Sequence, residues 1–411
     1  MTTSAVLDYF ARSVSERLFV ARPDALRRVG AEIEMLPLLE GSLRPCPLEE
    51  AGDDPRSTLS FVRAHGDGLG WREERSAKGA PYFKLPNGWT LTFEPGGQLE
   101  LCTVPSASIS HLLSDARSTI GGLRRAAAGA GIELASVGID PYNDISSIPL
   151  QLHSARYERM TRYFARIGPS GVRMMRQTAA TQVSLDPGSA PQERWRLLGD
   201  LTPYLTAMFA NSPCYAGRET GYRSFRARCW RLLDSSRTGI PYPELPASEA
   251  YTRFALDAGD MTRTDADGAY RAFGDWVAEG EWSEAAWEDH LTTLFPEVRP
   301  RGHLEVRSLD ALGPEMIGAP IVLLAGLVYD RSTADDVRRM LPAGDEEMLN
   351  RAAECGLGDR RLAQLCAELA RLGLRGARSL GEEVVGGEEL ERAEQYFTDW
   401  TLSRRSPADA R

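Results

Sequence analysis

The sequence predicts an α+β fold, an antiparallel sheet with helices packed against it and a helical carboxy-terminal region. Three observations carry this. Short segments alternate apolar and polar residues with period two, the mark of half-buried strands. Between them, apolar residues recur at steps of three and four, as on the buried stripe of a helix. After about residue 310 the pattern is almost wholly helical.

The amino-terminal residues 1–19 read as an amphipathic helix, without the sustained apolar stretch of a signal peptide. Val29 to Leu36 is the first strand. The segment from Glu40 to Ala80, with GDD, GDGLG and the charged WREER, reads as an excursion carrying one short helix. Trp89 to Glu94 and Gln98 to Thr103 form a hairpin through the intervening Pro-Gly turn. Ile109 to Ala127 is a helix on Leu113, Ala116, Ile120, Leu123 and Ala127. A second helix follows on Tyr157, Met160, Phe164 and Ile167. Thr181 to Asp186 is a strand, and a helix kinked at Pro203 runs on Trp195, Leu198, Leu201, Leu205 and Met208. His303 to Arg307 is the last strand. No repeat or long linker divides the chain, so residues 1–411 are expected to form a single catalytic domain, with a sheet-rich core at 25–310 and a helical layer at 311–400.

Composition narrows the function. A chain of 411 residues with 42% apolar content can bury a large core. A formal charge of -10 argues against a phosphate-tracking protein, so nucleic acid is not an expected partner. The longest apolar run, Ile321 to Val328, is too short to cross a bilayer, and a soluble, cytoplasmic protein is expected. The six cysteines are scattered without a CxxC pair, as for reduced thiols. Lys78 and Lys84 are the only lysines, so any phosphate clamp must be built of arginine forks. Oligomeric state is not legible.

Alternation decides which side chains share a face. Glu32 and Glu34 lie together, opposite Ile33 and Met35. Thr90, Thr92 and Glu94 oppose Leu91 and Phe93, and Gln98, Glu100 and Cys102 oppose Leu99 and Leu101. Gln182, Ser184 and Asp186 oppose Val183 and Leu185. His303, Glu305 and Arg307 oppose Leu304 and Val306. A solvated sheet face would explain each strand alone. Five glutamates on one face repel, however, and these strands offset them only with Arg307 and His303. Carboxylate oxygens gathered with an occasional amide are what hard divalent cations require. Neither a Walker A motif nor a dinucleotide fingerprint follows a strand, which leaves metals and arginines to hold a triphosphate over a sheet.

The motifs Val29-Gly-Ala-Glu-Ile-Glu34, Phe93-Glu-Pro-Gly-Gly-Gln-Leu-Glu100, Arg156-Tyr157 with Met174-Met175, Gln182-Val-Ser-Leu-Asp186, Asn211-Ser-Pro213, Arg226 to Gly239, and His290 to Arg299 with Leu304-Glu-Val-Arg307 occur in this order. Together they resemble the plant-type (family 2) glutamate-cysteine ligases, related in fold to glutamine synthetase. The resemblance implies a curved antiparallel sheet holding ATP, glutamate and two or more Mg2+ ions, with Mn2+ as a possible substitute. It implies ATP-dependent formation of γ-glutamylcysteine through γ-glutamyl phosphate, with glutamate and cysteine, or another small amine, as substrates. It further implies that Glu34, Glu94 and Glu100 surround one metal, and Glu32, Glu305 and Gln182 the other. Glu305, Arg307 and Arg226 become the implied catalytic residues. Arg226, Arg237, Arg307 and Gln182 become the implied substrate and phosphate ligands. For Arg226 and Arg237 the competing reading is an ion pair with Asp234.

The chain departs from the family pattern at Leu152-His-Ser-Ala-Arg-Tyr157, at Ser184, and in a shortened stretch between Tyr251 and Glu288. These places could select the amine. A γ-glutamyl ligase with another acceptor, serving a specialised thiol such as ergothioneine or a natural-product route, is therefore the near alternative. A non-catalytic ligand-binding relative is the distant one, disfavoured because it would have no reason to keep the repelling carboxylates.

Overall fold

The computed structural model describes residues 3–50 and 54–410. Its strands are β1 (Val29–Leu39), β2 (Arg72–Arg75), β3 (Pro81–Lys84), β4 (Thr90–Phe93), β5 (Leu99–Cys102), β6 (Ile132–Ala135) and β7 (Thr181–Leu185). After these come the two-residue pieces β8 (Cys214–Tyr215), β9 (Arg218–Glu219), β10 (Thr238–Gly239) and β11 (Phe295–Pro296), then β12 (Val298–Pro300) and β13 (Leu304–Val306). One sheet runs in the order β12-β13-β7-β1-β5-β4-β3-β2, with β6 on the far half of β1. Every pairing in it is antiparallel.

Fifteen helices surround the sheet: α1 (Thr3–Arg17), α2 (Thr58–Asp67), α3 (Ile109–Gly129), α4 (Ala155–Ala165), α5 (Pro169–Arg176), α6 (Pro191–Met208), α7 (Phe225–Leu233), α8 (Ala247–Asp257), α9 (Phe273–Ala278), α10 (Glu284–Leu291), α11 (Gly318–Tyr329), α12 (Arg331–Met340), α13 (Glu346–Cys355), α14 (Arg360–Ser379) and α15 (Gly387–Tyr396) among the described residues. The α+β class and the antiparallel sheet are those the sequence predicts. In α3 the expected stripe is buried, and Ser108 caps its start by accepting from the His111 amide. Pro203 lies inside α6 without ending it. Helix α11 is buried along its whole length. It packs on α14 so closely that a Cβ at Gly326 would sit 1.9 Å from the Gly373 carbonyl oxygen, so only glycine fits there. Among the described residues no helix is long and apolar enough to cross a membrane.

Two elements differ from expectation. β1 continues to Leu39, because its neighbour changes from β7, which pairs up to Ile33, to β6, which pairs from Leu36. The WREER stretch is an edge strand, β2, paired with β3. Its side chains are mostly exposed, so no apolar alternation betrays it, and charged side chains suit an unpaired edge. Of the excursion containing it, residues 51–53 lie outside the described residues.

The face carrying Ile33, Met35, Leu91, Leu99, Leu101, Val183, Leu185, Leu304 and Val306 is buried in the main core. Helices α6 and α11 pack on that side of β7, β12 and β13. Burying these apolar side chains stabilises the fold by roughly 1.5–3 kcal/mol each and fixes the register, since a one-residue slip would put the glutamates into the core. The opposite face is left to the site.

Candidate active site

Register brings the polar side chains together. Glu34 on β1 stands opposite Glu100 on β5, and Thr92 on β4 also stands opposite Glu100. Glu32 faces Gln182 on β7, Ser184 faces Glu305 on β13, and Arg299 on β12 faces Glu305. Glu94 follows β4 at the start of the Pro95-Gly96-Gly97 turn. Glu32, Glu34, Glu94, Glu100, Gln182, Arg226 and Arg307 all line one cavity of about 180 Å3. Its other walls include Arg156, Tyr157, Met160, Trp230, Thr292 and Arg299.

The four cavity carboxylates are not equally held. Glu34 accepts from the Ala180 amide at 2.8 Å and from Gln182 Nε2 at 2.9 Å. Glu100 accepts from Thr92 Oγ1 at 2.5 Å. Glu32 and Glu94 take no hydrogen bond or ion pair from the described residues and look into the cavity. Burial, then the Glu100 and Glu305 charges, pushes Glu32 up to about 8. Burial raises Glu34 to about 6 against the pull of Arg226, and burial with the Glu34 charge raises Glu100 to about 7. Glu94 is raised well above the ordinary range by burial, then by Glu100 and Glu34. Without a further positive charge, these groups hold their protons to higher pH than an ordinary carboxylate does.

That is the behaviour of a ligand set for a hard divalent cation, which displaces protons from buried carboxylates as it binds. Among the described residues no three His, Cys, Asp or Glu side chains converge as a finished metal cage. The oxygens instead share a cavity, with two of the four carboxylates free to turn. The donor set fits the cation chemistry.

Arginines hold the other charge. Arg226, on α7, is buried; its Nη2 donates to the Arg307 carbonyl at 2.8 Å and its guanidinium lies 4.6 Å from the Trp230 ring. Arg307 Nη1 donates to Gln182 Oε1 at 2.7 Å and also to Glu305. The Nε atoms of Arg226 and Arg307 are buried without a partner among the described residues. Glu305 is on the expected face but fully buried, gripped by Arg299 at 2.9–3.1 Å. Burial pushes its carboxyl up, but Arg299 and Arg307 outweigh it and hold it at about 2.

Arg237 corrects the sequence reading. It is fully buried away from the cavity, donating to Asp234 Oδ2 at 2.7 Å, to the Thr293 carbonyl at 2.9 Å and to the Gly259 carbonyl. The competing reading, a pair with Asp234, is the one the structure adopts for it. The spacing 226 to 237 crosses the end of α7 at Leu233, so the two arginines do not share one helix. Arg237→Gln should therefore lower unfolding free energy by about 3–5 kcal/mol in denaturant titrations, the penalty for breaking a buried pair; an unchanged denaturation midpoint would contradict it.

The Asn211-Ser-Pro213 motif supports Arg226. Buried Asp310 accepts from the Asn211 amide and Ser212 Oγ, both at 2.7 Å, and from Ser224 Oγ at 2.9 Å, and lies 3.9 Å from Arg226 Nη1. Ser224 caps α7, and Ser212 Oγ accepts from the Arg226 amide. Asp310→Ala should cost about 3–5 kcal/mol of stability by leaving these donors and the buried guanidinium unanswered; an unchanged denaturation midpoint would contradict it.

Three smaller expectations can be placed. Lys84 is half-exposed and pairs with Glu74 at 2.9 Å, outside the residues that line the cavity. His290 is buried and stacked on Phe273, a packing residue. His153, one of the departures, is exposed. Sequence reasoning gave no role to Arg299, Arg156, Thr292 and Trp230. The signal for Arg299 was present: Gly302, at φ +73, turns the chain between β12 and β13 and sets Arg299 opposite Glu305. Trp230 lies one helical turn beyond Arg226 on α7.

Comparison with known proteins finds related sequences and a shared fold. The family described as glutamate-cysteine ligase family 2 (GCS2) matches residues 28–391. The glutamate-cysteine ligase EgtA of Mycobacterium tuberculosis (strain H37Rv) is 36% identical over 334 residues, covering 74% of this chain and 73% of its own length. The chloroplastic glutamate-cysteine ligase A of Oryza sativa subsp. japonica is 28% identical over 389 residues, covering 89% and 77%. The crystal structure of glutamate-cysteine ligase from Francisella tularensis in complex with AMP shares the fold, with a TM-score of 0.52 at 14% identity over 93% of this chain and 84% of that one.

Proposed function

The chain belongs to glutamate-cysteine ligase family 2 and is an ATP-dependent ligase forming a C–N bond; within that family, we propose that it joins the side-chain carboxylate of glutamate to the amine of cysteine. The observation that carries this reading is the cavity where Glu32, Glu34, Glu94 and Glu100 meet Arg226 and Arg307. A cation site alone would need only the carboxylates; the buried guanidiniums add a place for anionic substrates.

Glu34, Glu94 and Glu100 would hold one divalent cation, and Glu32 with Gln182 and Glu305 a second. When bound, such cations, magnesium in our reading, neutralise charge on the transferring phosphoryl group. In the first step a glutamate carboxylate oxygen attacks the γ-phosphorus and ADP leaves. In the second the amine attacks the acyl carbon of γ-glutamyl phosphate and phosphate leaves. The residues of this chain act by position. Arg307, held by Gln182 and Glu305, offers its unpartnered Nε to oxyanion charge. Arg226, held by Asp310, offers its own to a substrate carboxylate. Met160, Tyr157 and Trp230 wall the site and limit water.

The test is incubation of the purified protein with ATP, magnesium, glutamate and a panel of amines, read by mass spectrometry. γ-Glutamylcysteine formed only with cysteine is the expected result. A product with a different amine alone would overturn the acceptor, and no ADP release with any amine would overturn the reading as a whole.

A further inference from the structure

The turn that carries Glu94 is gripped from two sides by side-chain amides. Pro95, Gly96 and Gly97 are buried, although a turn between two strands is ordinarily a surface feature. From within, Gln98, only 2% exposed, accepts from the Gly96 amide at 2.9 Å and donates to the Thr178 carbonyl at 3.0 Å and the Met175 carbonyl at 3.4 Å. That fixes the turn to the end of α5. From across, Gln151 donates from Nε2 to the Gly96 carbonyl at 2.8 Å and to the Cys46 carbonyl at 3.2 Å, and its Oε1 accepts from the Leu48 amide. Its own backbone amide donates to the Pro95 carbonyl at 2.7 Å. One residue thus ties its own segment to two others. The 46–48 segment is itself anchored: the Cys46 amide donates to the Pro37 carbonyl on β1 at 2.9 Å, and the Leu48 carbonyl accepts from the Leu59 amide on α2 at 3.0 Å. The fit is close on both sides. A Cβ on Gly96 would lie 2.0 Å from the Arg176 carbonyl oxygen, and one on Gly97, at φ +87, would lie 2.5 Å from Gln151 Nε2.

Glu94 is the cavity carboxylate that depends on such a clamp. Glu34 is held by Ala180 and Gln182, Glu100 by Thr92, and Glu32 lies within β1 between two paired strands. Glu94 lies past the end of β4 with no partner for its side chain among the described residues, so only the turn places it. Resting on the ligase reading above, we infer that Gln151 is a positioning residue: it holds the Glu94 turn against the repulsion of the neighbouring carboxylates, so that Glu94 is in place before a divalent cation arrives. The same residue sets the turn relative to α4, because Ser154, three residues on, caps that helix by accepting from the Tyr157 amide, and Arg156 and Tyr157 line the same cavity. A ligand fixed beforehand loses less conformational freedom on binding. Loosening the clamp therefore weakens cation binding without removing any atom that touches the cation.

The test is titration of the full chain with Mn2+, followed by electron paramagnetic resonance, for wild type, Gln151→Met, Glu94→Gln and the double variant, with a thermal melt of each. Methionine keeps the length of the side chain and removes its donors and acceptor. The Kd for Mn2+ should rise about tenfold in Gln151→Met, the scale on which groups that orient a metal ligand act. In the Glu94→Gln background the same exchange should change the Kd by less than about twofold, because the ligand it positions is already gone. A lower melting temperature with an unchanged Kd would make Gln151 a packing residue and overturn the inference. An equal loss of affinity in both backgrounds would also overturn it, since Gln151 would then act on the site as a whole. Gln151→Asn keeps an amide at this half-buried position but is one methylene too short to span all three segments. It should change the Kd in the same direction, and it keeps the measurement valid if Gln151→Met folds poorly. No saturable Mn2+ binding by wild type would sink the cation reading and the inference with it. The tenfold effect in a chain that ligates no amine would sink the ligase reading alone.

Discussion

Exchanging Glu94 for glutamine should lower kcat by about 10^2–10^3-fold, the scale of removing one well-placed electrostatic group from a reacting site, while leaving the fold at least as stable. The two effects separate because Glu94 has no internal partner to lose. Its side chain looks into the cavity, and burial with the charges of Glu100 and Glu34 already works against its ionised form. Glutamine keeps the shape, removes the repulsion and cannot supply an anionic oxygen to a cation. A thermal melt and steady-state kinetics on the same preparation check it. Lost stability together with lost activity would mean that Glu94 is a packing residue, and retained activity would remove it from the site. A residue whose removal stabilises the fold and stops the chemistry is kept for function.

The second large effect is expected at Arg307. Arg307→Lys keeps the positive charge beside Glu305 but loses the fork that lets one side chain reach both Gln182 and Glu305 and leaves a buried Nε donor unpartnered. A loss of about 10^2–10^3-fold in kcat is expected, with a smaller change in the KM for glutamate, because the lost donor acts on charge that develops during phosphoryl transfer. Arg307→Met would do more damage to folding: Glu305, with no exposed surface, would keep Arg299 but lose its other close partner. Breaking one arm of a buried charge network typically costs about 3–5 kcal/mol. The lysine variant is thus the informative one, since it isolates the fork from the charge. Wild-type kcat in Arg307→Lys would remove Arg307 from the reacting centre.

How much of this was legible in the sequence follows from what alternation can and cannot encode. Period two placed Glu32, Glu34, Glu100, Gln182 and Glu305 on one face, because that face is fixed by the apolar residues between them, and the structure keeps them there. The Pro95-Gly96-Gly97 turn likewise fixed the hairpin that carries Glu94 and Glu100. Strand β2 escaped notice because an edge strand exposed to water needs no apolar face. The destinations of the arginines were also hidden. Arg226 and Arg237 have similar surroundings in sequence, yet one lines the cavity and the other is buried among backbone carbonyls, a choice made by the turn after α7. The close relation of Arg299 to Glu305 depends on a three-residue turn that pairs β13, which alternation marked, with the three-residue β12, which is too short to announce itself by periodicity.

The most direct test of the central claim, that the carboxylate face of the sheet is built to bind the divalent cations of an ATP-driven ligase, is titration of the protein with Mn2+, followed by electron paramagnetic resonance, for wild type and Glu34→Gln. Glu34 sits opposite Glu100 at the middle of that face. The account predicts saturable binding to wild type and a loss of affinity of about tenfold or more in the variant, at the scale by which altered ligand shells weaken metal sites. Superimposable titration curves for the two proteins would contradict it.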